Sequence, residues 1–308
     1  MTTDQNTDTT EVSFTGGAGR LAGDLWVAPG CRHAVLLAHG GGQTRHSWRH
    51  TAQNLHQDGY TVATFDARGH GASDWSSAAE YAFEDLAGDI ARVVMQLRER
   101  TGVNRPVLVG ASVGGATSMI ALASDPDMAS ALVLVDVTPK VEVEGIERIR
   151  RFVNAAPDGF DDLDAVARAV SAYNPHRRTP ANIDGLQKNL RRGTDGRWYW
   201  HWDPNFFRAR DNVTAAGLQD ILEQAARLVK VPTLLIRGTA SDIATDQGVE
   251  VLRSLIPHAE VADVGGAGHM VAGDVNDVFA AQLVSFLDRL EAPSREVEPV
   301  MPGDSDRP

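Results

Sequence analysis

Ser112 is the residue of this sequence best placed to act as a nucleophile. It is the central residue of 110–114 (GASVG), directly after the apolar run 107–109 and directly before a run of small residues. A strand, a Gly-x-Ser-x-Gly turn and a helix in succession expose the serine hydroxyl at a sharp turn. The helix N-terminus then directs backbone amides toward developing negative charge. An ordinary glycine-rich turn is the alternative interpretation.

A serine hydroxyl is a weak nucleophile at neutral pH and needs a general base. His269 is the candidate, because it follows the last apolar strand pattern in a glycine-rich loop. The base needs a carboxylate that holds its tautomer and stabilises the imidazolium. Asp242 and Asp136 both follow apolar strand patterns. We prefer Asp242 as the catalytic acid and keep Asp136 as the second candidate.

Two backbone amides are expected to form an oxyanion hole. One is the N–H of Val113, the residue after the nucleophile. The other should come from the glycine-rich segment 39–42, which follows the apolar run Ala34–Ala38. Gly41 is our candidate, because glycine lets a substrate approach the backbone closely. Each such donor contributes a factor of roughly 10²–10³ in rate. A plain glycine turn is the alternative interpretation of segment 39–42.

Strand-like apolar runs alternate with helical patterns along most of the chain. Ala34–Ala38 is continuously apolar, as in a strand buried on both faces. Residues 83–98 have apolar side chains at spacings of three and four, as in an amphipathic helix. This alternation predicts an α/β fold with a mostly parallel sheet flanked by helices. In such sheets ligands bind beyond the carboxyl ends of the strands.

The alternation stops over residues 138–228, which contain helical patterns and an aromatic run but no clear buried strand. We predict that this segment is a mainly helical cap, inserted after the sixth core strand between core segments 11–137 and 229–292. Residues 1–10 and 293–308 lack periodicity and are predicted to be disordered tails.

Charge and composition exclude several classes of protein. The net charge of −12 argues against binding to nucleic acid or to an anionic membrane surface. No apolar run approaches the ~20 residues of a membrane span. Residues 1–10 do not resemble a secretory signal, so we expect a cytoplasmic protein.

Cysteine and histidine patterns indicate no redox or metal chemistry. Cys31 is the one cysteine, so no intrachain disulfide can form. His46 and His50 have a spacing that can bind zinc, but the sequence shows no obvious third ligand. We therefore expect no metal and no cofactor.

Several segments in this order resemble the α/β-hydrolase fold family, and the resemblance covers about residues 11–292. Segments 39–48 (HGGGQTRHSW) and 65–74 (FDARGHGASD) are similar to the branch of cofactor-free haloperoxidases (perhydrolases), small esterases, epoxide hydrolases and dehalogenases. Epoxide hydrolases and haloalkane dehalogenases use an aspartate nucleophile, so Ser112 argues against these two activities. Gly42 departs from the branch, which often has proline there. Asp136 matches the strand-end acid of dehalogenases and some lactonases, so the resemblance leaves the acid open. The other matching segments are 110–114, 238–242 and 268–269.

An aromatic run in the predicted cap supplies candidates for substrate contact. In an extended chain Trp198, Trp200 and Trp202 share one face. With Phe206 and Gly42 they are expected to contact an apolar or aromatic substrate, and packing of the cap on the core is the alternative. The basic residues of the predicted cap either attract an anionic substrate or form a solvated surface; they are Arg177, Arg178, Lys188, Arg191 and Arg192.

The sequence therefore predicts a serine hydrolase that cleaves a carboxylic ester or lactone of a small molecule. Ser112 is the nucleophile and His269 the base, and the possibility of a homo-oligomer is left open. A cofactor-free perhydrolase and a carbon–carbon bond hydrolase on the same triad are the enzymatic alternatives. A non-catalytic binding module on the same fold is the alternative of another class.

Overall fold

The computed structural model describes residues 9–290 apart from 32, 174–185, 188, 209–212 and 270–275. The predicted basic residues Arg177, Arg178 and Lys188 and the predicted tail 293–308 lie outside the described residues. Of the predicted tail 1–10, Thr9 and Thr10 belong to the first strand, where they pair with residues of the second.

An eight-stranded, mostly parallel sheet forms the centre of the protein. Its strand order is β1-β2-β4-β3-β5-β6-β9-β10, and only β1 with β2 and β2 with β4 pair antiparallel. A separate two-stranded hairpin consists of β7 and β8. The strands are β1 Thr9–Thr15, β2 Arg20–Trp26, β3 Ala34–Ala38, β4 Thr61–Phe65, β5 Val107–Ala111, β6 Ala131–Val135, β7 Leu190–Arg192, β8 Trp198–Trp200, β9 Thr233–Gly238 and β10 Glu260–Val264.

Helices cover both faces of this sheet, which confirms the predicted α/β fold with a mostly parallel sheet. The described helices are α1 Arg49–Gln57, α2 Phe83–Thr101, α3 Val113–Ser124, α4 Val143–Val153, α5 Leu163–Tyr173, α6 Asn205–Arg208, α7 Ala215–Leu228, α8 Asp246–Leu255 and α9 Asn276–Arg289. Alternate strand residues supply the two cores: Leu36 belongs to the cluster that includes residues of α2, α3, α7 and α8, whereas Leu37 belongs to the cluster that includes residues of α1 and α9.

The segment between β6 and β9 contains the hairpin and helices α4 to α7. Trp200 and Trp202 of this segment pack with Phe160 in a small hydrophobic cluster of their own. Helix α7 differs, because its buried residues Leu222 and Ala226 join the main core beside α3. The division into a core and a cap over 138–228 stays a prediction, and α7 packs as part of the layer on the sheet.

Parallel strands bring several loops to one edge of the sheet. Ala111 of β5 pairs with Val135 of β6, so the residues that follow each strand lie side by side. The Ser112 N–H donates a hydrogen bond to Val135 O at 3.0 Å, and the Asp136 N–H donates to Ile236 O at 2.8 Å. The ends of β5, β6 and β9 thus form one continuous platform. None of the described helices is long and apolar enough to cross a membrane.

Candidate active site

Ser112 occupies a strained turn between β5 and α3. Its φ of 49° and ψ of −117° are rare for a residue with a side chain. A Cβ at Gly110 would collide with the backbone of Gly114, and a Cβ at Gly114 would lie 2.5 Å from Ala38 O. The two glycines therefore allow the sharp turn. Strain of this kind persists only where the surrounding structure holds it, and it clusters at functional sites.

His269 forms a hydrogen bond with Asp136. Its Nδ1 lies 2.6 Å from Asp136 Oδ2, and the side chains are 10% and 1% exposed. Since an ionised carboxylate only accepts hydrogen bonds, Nδ1–H is the donor and Nε2 keeps its lone pair. That is the tautomer in which a histidine can accept a proton from a serine.

The Asp136 carboxylate has two further donors. The Ser241 hydroxyl donates to Oδ2 at 2.6 Å, and the Gly238 N–H donates to Oδ1 at 3.1 Å. Asp136 itself has a φ of 52°, so it shares the left-handed backbone of Ser112. Three hydrogen bonds and a strained backbone hold one buried carboxylate against one histidine.

Asp242, the acid that the sequence preferred, has another partner, so the geometry favours Asp136 as the partner of His269. Arg148 of α4 donates to Asp242 Oδ1 at 2.5 Å, and the Asp242 side chain is 41% exposed. The physical reason is the path of the chain after β9. Asp136 directly follows β6, and Ser112 directly follows the neighbouring β5. Asp242 lies beyond a turn that the hydrogen bond from the Ser241 N–H to Gly238 O closes.

Ser112 and His269 lie at the same edge of the sheet. Among the described residues the Ser112 hydroxyl has no hydrogen-bond partner, so it is not bonded to His269. Hydrogen bonds between a nucleophile and its base are often long without substrate and shorten in the reacting complex.

Two backbone amides beside Ser112 remain available for an oxyanion. Val113 is the first residue of α3, so its N–H has no partner within the helix. In the glycine-rich loop, the Gly40 N–H donates to Gln43 Oε1 and the Gly42 N–H donates to His70 Nε2, both at 3.0 Å. Within the described part of the chain only Gly41 of these three glycines has an unbonded N–H. A Cβ on Gly41 would lie 3.4 Å from Val113 Cγ2.

Gly42 adopts a conformation that excludes proline. Its φ is 76°, whereas proline is restricted to about −65°. A Cβ there would also lie 3.1 Å from the Trp202 ring. The turn therefore requires a residue other than proline at position 42, in contrast to the resembling branch. Trp202 packs directly on Gly42.

Three buried histidines support the glycine-rich loop in fixed tautomers. His70 Nδ1–H donates to Arg68 O at 3.2 Å, which leaves Nε2 to accept from Gly42. His39 Nδ1–H donates to Gly40 O at 2.8 Å. His201 Nδ1 accepts from the Gly71 N–H at 3.0 Å, and its Nε2–H donates to Gly42 O at 3.3 Å.

Burial keeps two of these histidines neutral. It lowers the pKa of His201 from its usual 6.5 to about 4, with Gly42 O opposing the shift, and it lowers the pKa of His39. A neutral imidazole has one donor and one acceptor nitrogen, and both His39 and His201 form one hydrogen bond of each kind. Sequence reasoning missed this role of His201, and the aromatic run around it was the available signal.

A cavity of about 170 Å³ opens beside Ser112. Ser112 and Val113 lie in its wall, which is otherwise mainly apolar. The predicted contacts Gly42, Trp198, Trp200, Trp202 and Phe206 are not among its described lining residues, and their contact with substrate stays a prediction. The described residues that line it are Phe83, Ser112, Val113, Ala116, Val137, Thr138, Lys140, Val141, Glu142, Val143, Ile146, Glu147, Ile149, Arg150, Asn154, Phe207, Val213, Thr214, Ala215, Leu218, Leu222 and Ile243.

The aromatic run packs the segment 138–228 on the core, which was the alternative interpretation. The rings of Trp200 and Trp202 stack at 4.9 Å, and Phe206 packs edge-on against His70 at 4.2 Å. Phe206 lines a second, small cavity behind Gly41. Phe207, which follows the aromatic run and which the sequence left open between substrate contact and packing, lines the cavity beside Ser112.

The basic residues Arg191 and Arg192 lie on aromatic rings. Arg191 is 4.9 Å from the centre of the Tyr199 ring, and Arg192 is 4.7 Å from that of Trp198. Neither lines the cavity. Among the described residues no group of three or more His, Cys, Asp or Glu could hold a metal ion.

Comparison with known proteins shows the family of this chain. A family model described as the alpha/beta hydrolase fold matches residues 33–274. A 2-(acetamidomethylene)succinate hydrolase of Mesorhizobium japonicum is 30% identical, over 75% of this chain and 80% of its own. The esterase Rv0045c of Mycobacterium tuberculosis is also 30% identical, over 83% of each chain.

Solved structures show the same architecture. The crystal structure of an E-2-(acetamidomethylene)succinate hydrolase superposes with a TM-score of 0.75 at 26% identity. The superposition covers 91% of this chain and all (100%) of that one.

Proposed function

The chain belongs to the alpha/beta hydrolase fold family and is a hydrolase, and from this premise we propose that it cleaves a carboxylic ester or lactone through an acyl-enzyme on Ser112. The hydrogen bond between His269 and Asp136, one strand away from the strained Ser112, carries the proposal. It supplies the oriented base that a serine nucleophile requires.

In the first half-reaction Ser112 Oγ attacks the carbonyl carbon of the ester while its proton passes to His269 Nε2. Asp136 holds the ring and stabilises the imidazolium. The N–H groups of Val113 and Gly41 donate to the oxyanion of the tetrahedral intermediate. The C–O bond to the leaving group then breaks, and His269 returns the proton to the alcohol oxygen.

In the second half-reaction water takes the place of the alcohol. His269 removes a proton from the water as its oxygen attacks the acyl carbon. The second tetrahedral intermediate releases the carboxylic acid, and His269 returns the proton to Ser112 Oγ. The net reaction consumes one water and produces one acid and one alcohol. In a lactone the acid and the alcohol leave as one molecule.

Active-site labelling and a substrate panel test the proposal together. We expect a fluorophosphonate probe to label the wild-type protein and Ser124→Ala, and not Ser112→Ala. Ser124 is a matched control, because it lies at the end of the same helix and its hydroxyl bonds to Ile120 O. p-Nitrophenyl esters and lactones should be turned over by the first two proteins only.

The contrary outcomes are distinct. Labelling that persists in Ser112→Ala overturns the assignment of the nucleophile. Turnover that requires added hydrogen peroxide favours the perhydrolase. Labelling of Ser112 without turnover of any ester or lactone overturns the substrate class and leaves the carbon–carbon bond hydrolase.

A further inference from the structure

Helix α4 has two faces that contact different parts of the site. Val143, Ile146, Glu147 and Arg150 recur at spacings of three and four, and all four line the cavity beside Ser112. The opposite face carries Gly145, Arg148 and Phe152.

The second face of α4 packs on the loop that supports the catalytic acid. Arg148 pairs with Asp242 at 2.5 Å, and a Cβ on Gly145 would lie 2.9 Å from Asp242 O. The neighbouring Ser241 donates to Asp136. This face of α4 thus adjoins the loop on the His269 side of the nucleophile.

The cavity contacts the nucleophile and an oxyanion donor but not the base. Of the described residues, Ser112 and Val113 line it and His269 does not. His269 must return a proton to the leaving alcohol, so that alcohol has to leave on the His269 side. The other substituent of the carbonyl carbon, the acyl chain, then points away from His269 and toward the cavity.

The charges that line the cavity neutralise each other. Lys140 pairs with Glu142 at 2.7 Å, and Arg150 pairs with Glu147 at 3.0 Å. The Thr245 hydroxyl also donates to Glu142 at 2.6 Å, and Lys140 and Thr245 together lower the pKa of Glu142 despite its burial. A charged acyl group would meet no unpaired counter-ion among the described lining residues.

We propose that this cavity is the acyl subsite and that it selects an uncharged aliphatic acyl chain. The proposal rests on the proposed function, because it requires Ser112 as the nucleophile. It makes a carboxylate-bearing acyl group a poor substrate, since burying an unpaired carboxylate is costly. The succinate hydrolase among the relatives is named for a substrate of that charged kind.

Matched acyl series test the subsite in the wild-type protein. In p-nitrophenyl esters from acetate to hexanoate, we expect kcat/KM to rise roughly fourfold per buried methylene. Mono-p-nitrophenyl adipate has the length of the hexanoate with a terminal carboxylate, and its kcat/KM should be roughly a hundredfold lower. Equal rates for hexanoate and adipate overturn the claim of an uncharged acyl chain.

Substitution of Ile146 by Trp tests where the acyl chain lies. Ile146→Trp should lower kcat/KM for hexanoate about tenfold or more while the acetate value stays within about twofold, because the larger ring fills the cavity. Glu144→Trp is the matched control on the same helix, since Glu144 is exposed and does not line the cavity. Val143→Trp is a second filling variant, at a half-exposed cavity position.

A second series varies the alcohol of hexanoate esters from methyl to phenyl. Ile146→Trp should reduce all of these rates by the same factor. A reduction that depends on the alcohol, with an unchanged acyl profile, places the alcohol in the cavity and overturns the inference.

Phosphonate labelling separates failure of the subsite from failure of the function. A p-nitrophenyl hexylphosphonate should inactivate the wild-type protein faster than its methyl analogue, and Ile146→Trp should remove that difference. Ser112-dependent labelling without any chain-length preference overturns the subsite alone. Absence of Ser112-dependent labelling overturns the proposed function and the subsite with it.

Discussion

Asp136 and His269 are 133 positions apart in the sequence, yet Oδ2 of the one lies 2.6 Å from Nδ1 of the other. The contact forms because Asp136 ends the strand next to that of Ser112, while His269 follows the last strand of the sheet. The side chain of Asp136 is 1% exposed, so its carboxylate acts through the partners that the fold places around it. The carboxylate that bonds to His269 thus belongs to the residue that directly follows β6.

Asparagine substitution at the two candidate acids should distinguish them. Asp136→Asn should lower kcat by about 10⁴, because an amide facing Nδ1 favours the wrong histidine tautomer. Asp242→Asn should lower kcat less than about tenfold, because it breaks only a partly exposed pair with Arg148. Steady-state kinetics on one p-nitrophenyl ester gives both values. A larger loss in Asp242→Asn would restore the acid that the sequence preferred.

Ser241 should act as a positioning residue for the acid. Ser241→Ala removes one of the two hydrogen bonds to Asp136 Oδ2 and should lower kcat by about tenfold with little change in KM. Ser241→Thr keeps the hydroxyl and should recover most of the rate. The control is Ser254→Ala, at an exposed serine that bonds only to Val251 O. Equal kcat for Ser241→Ala and wild type would show that His269 and Gly238 hold the carboxylate without it.

The sequence was most informative where local sterics dictate the structure. Ser112 and the two glycines around it were readable because the turn tolerates no side chain at Gly110 or Gly114. The alternation of apolar runs and helical patterns predicted the confirmed α/β fold in the same way, since both periodicities are local.

The acid and the cavity were harder to predict, because they depend on contacts distant in sequence. Asp136 and Asp242 both follow strands, so the sequence alone does not distinguish them. Asp242 bonds to Arg148 because of the turn that follows β9. The tryptophans looked like a substrate wall, yet Trp200 and Trp202 stack on each other, and Trp202 packs on Gly42. The cavity is lined instead by residues of α4 and α7. Their apolar spacing predicts amphipathic helices, but it does not predict what the apolar face of each helix contacts.

Gly42→Pro should inactivate the enzyme, although proline is common at this position in the resembling branch. Proline cannot adopt the φ of 76°, and it lacks the N–H that donates to His70. We expect kcat to fall by about a hundredfold or more, because the Gly41 amide loses its position at the oxyanion. Gly30→Pro is the control, since Gly30 also has positive φ but a Cβ there meets no atom within 4 Å. Full activity of Gly42→Pro would show that the loop has a second competent conformation.

His201 should make the stability of the protein depend on pH in an acidic window. Burial lowers the pKa of His201 to about 4, while the unfolded chain keeps the usual 6.5. The unfolded state therefore binds more protons between these values, so the free energy of unfolding falls as the pH drops from 6.5 toward 4. The contribution is fully present above 6.5, and its loss amounts to about 3 kcal/mol at most. His39, whose pKa is also lowered by burial, adds to the same slope.

Urea unfolding of wild type and His201→Gln at about pH 7 and about pH 4.5 measures this effect. Glutamine can still accept and donate hydrogen bonds but does not titrate, so His201→Gln should lose less stability between the two pH values than wild type. His258→Gln is the matched control, at a part-buried histidine that bonds to Val231 O, far from Gly42 in the sequence. An identical loss in His201→Gln and wild type would mean that His201 does not titrate in this window. Since the ring holds Gly42 O by Nε2–H and accepts from Gly71 by Nδ1, protonation breaks the second bond and should also lower kcat reversibly.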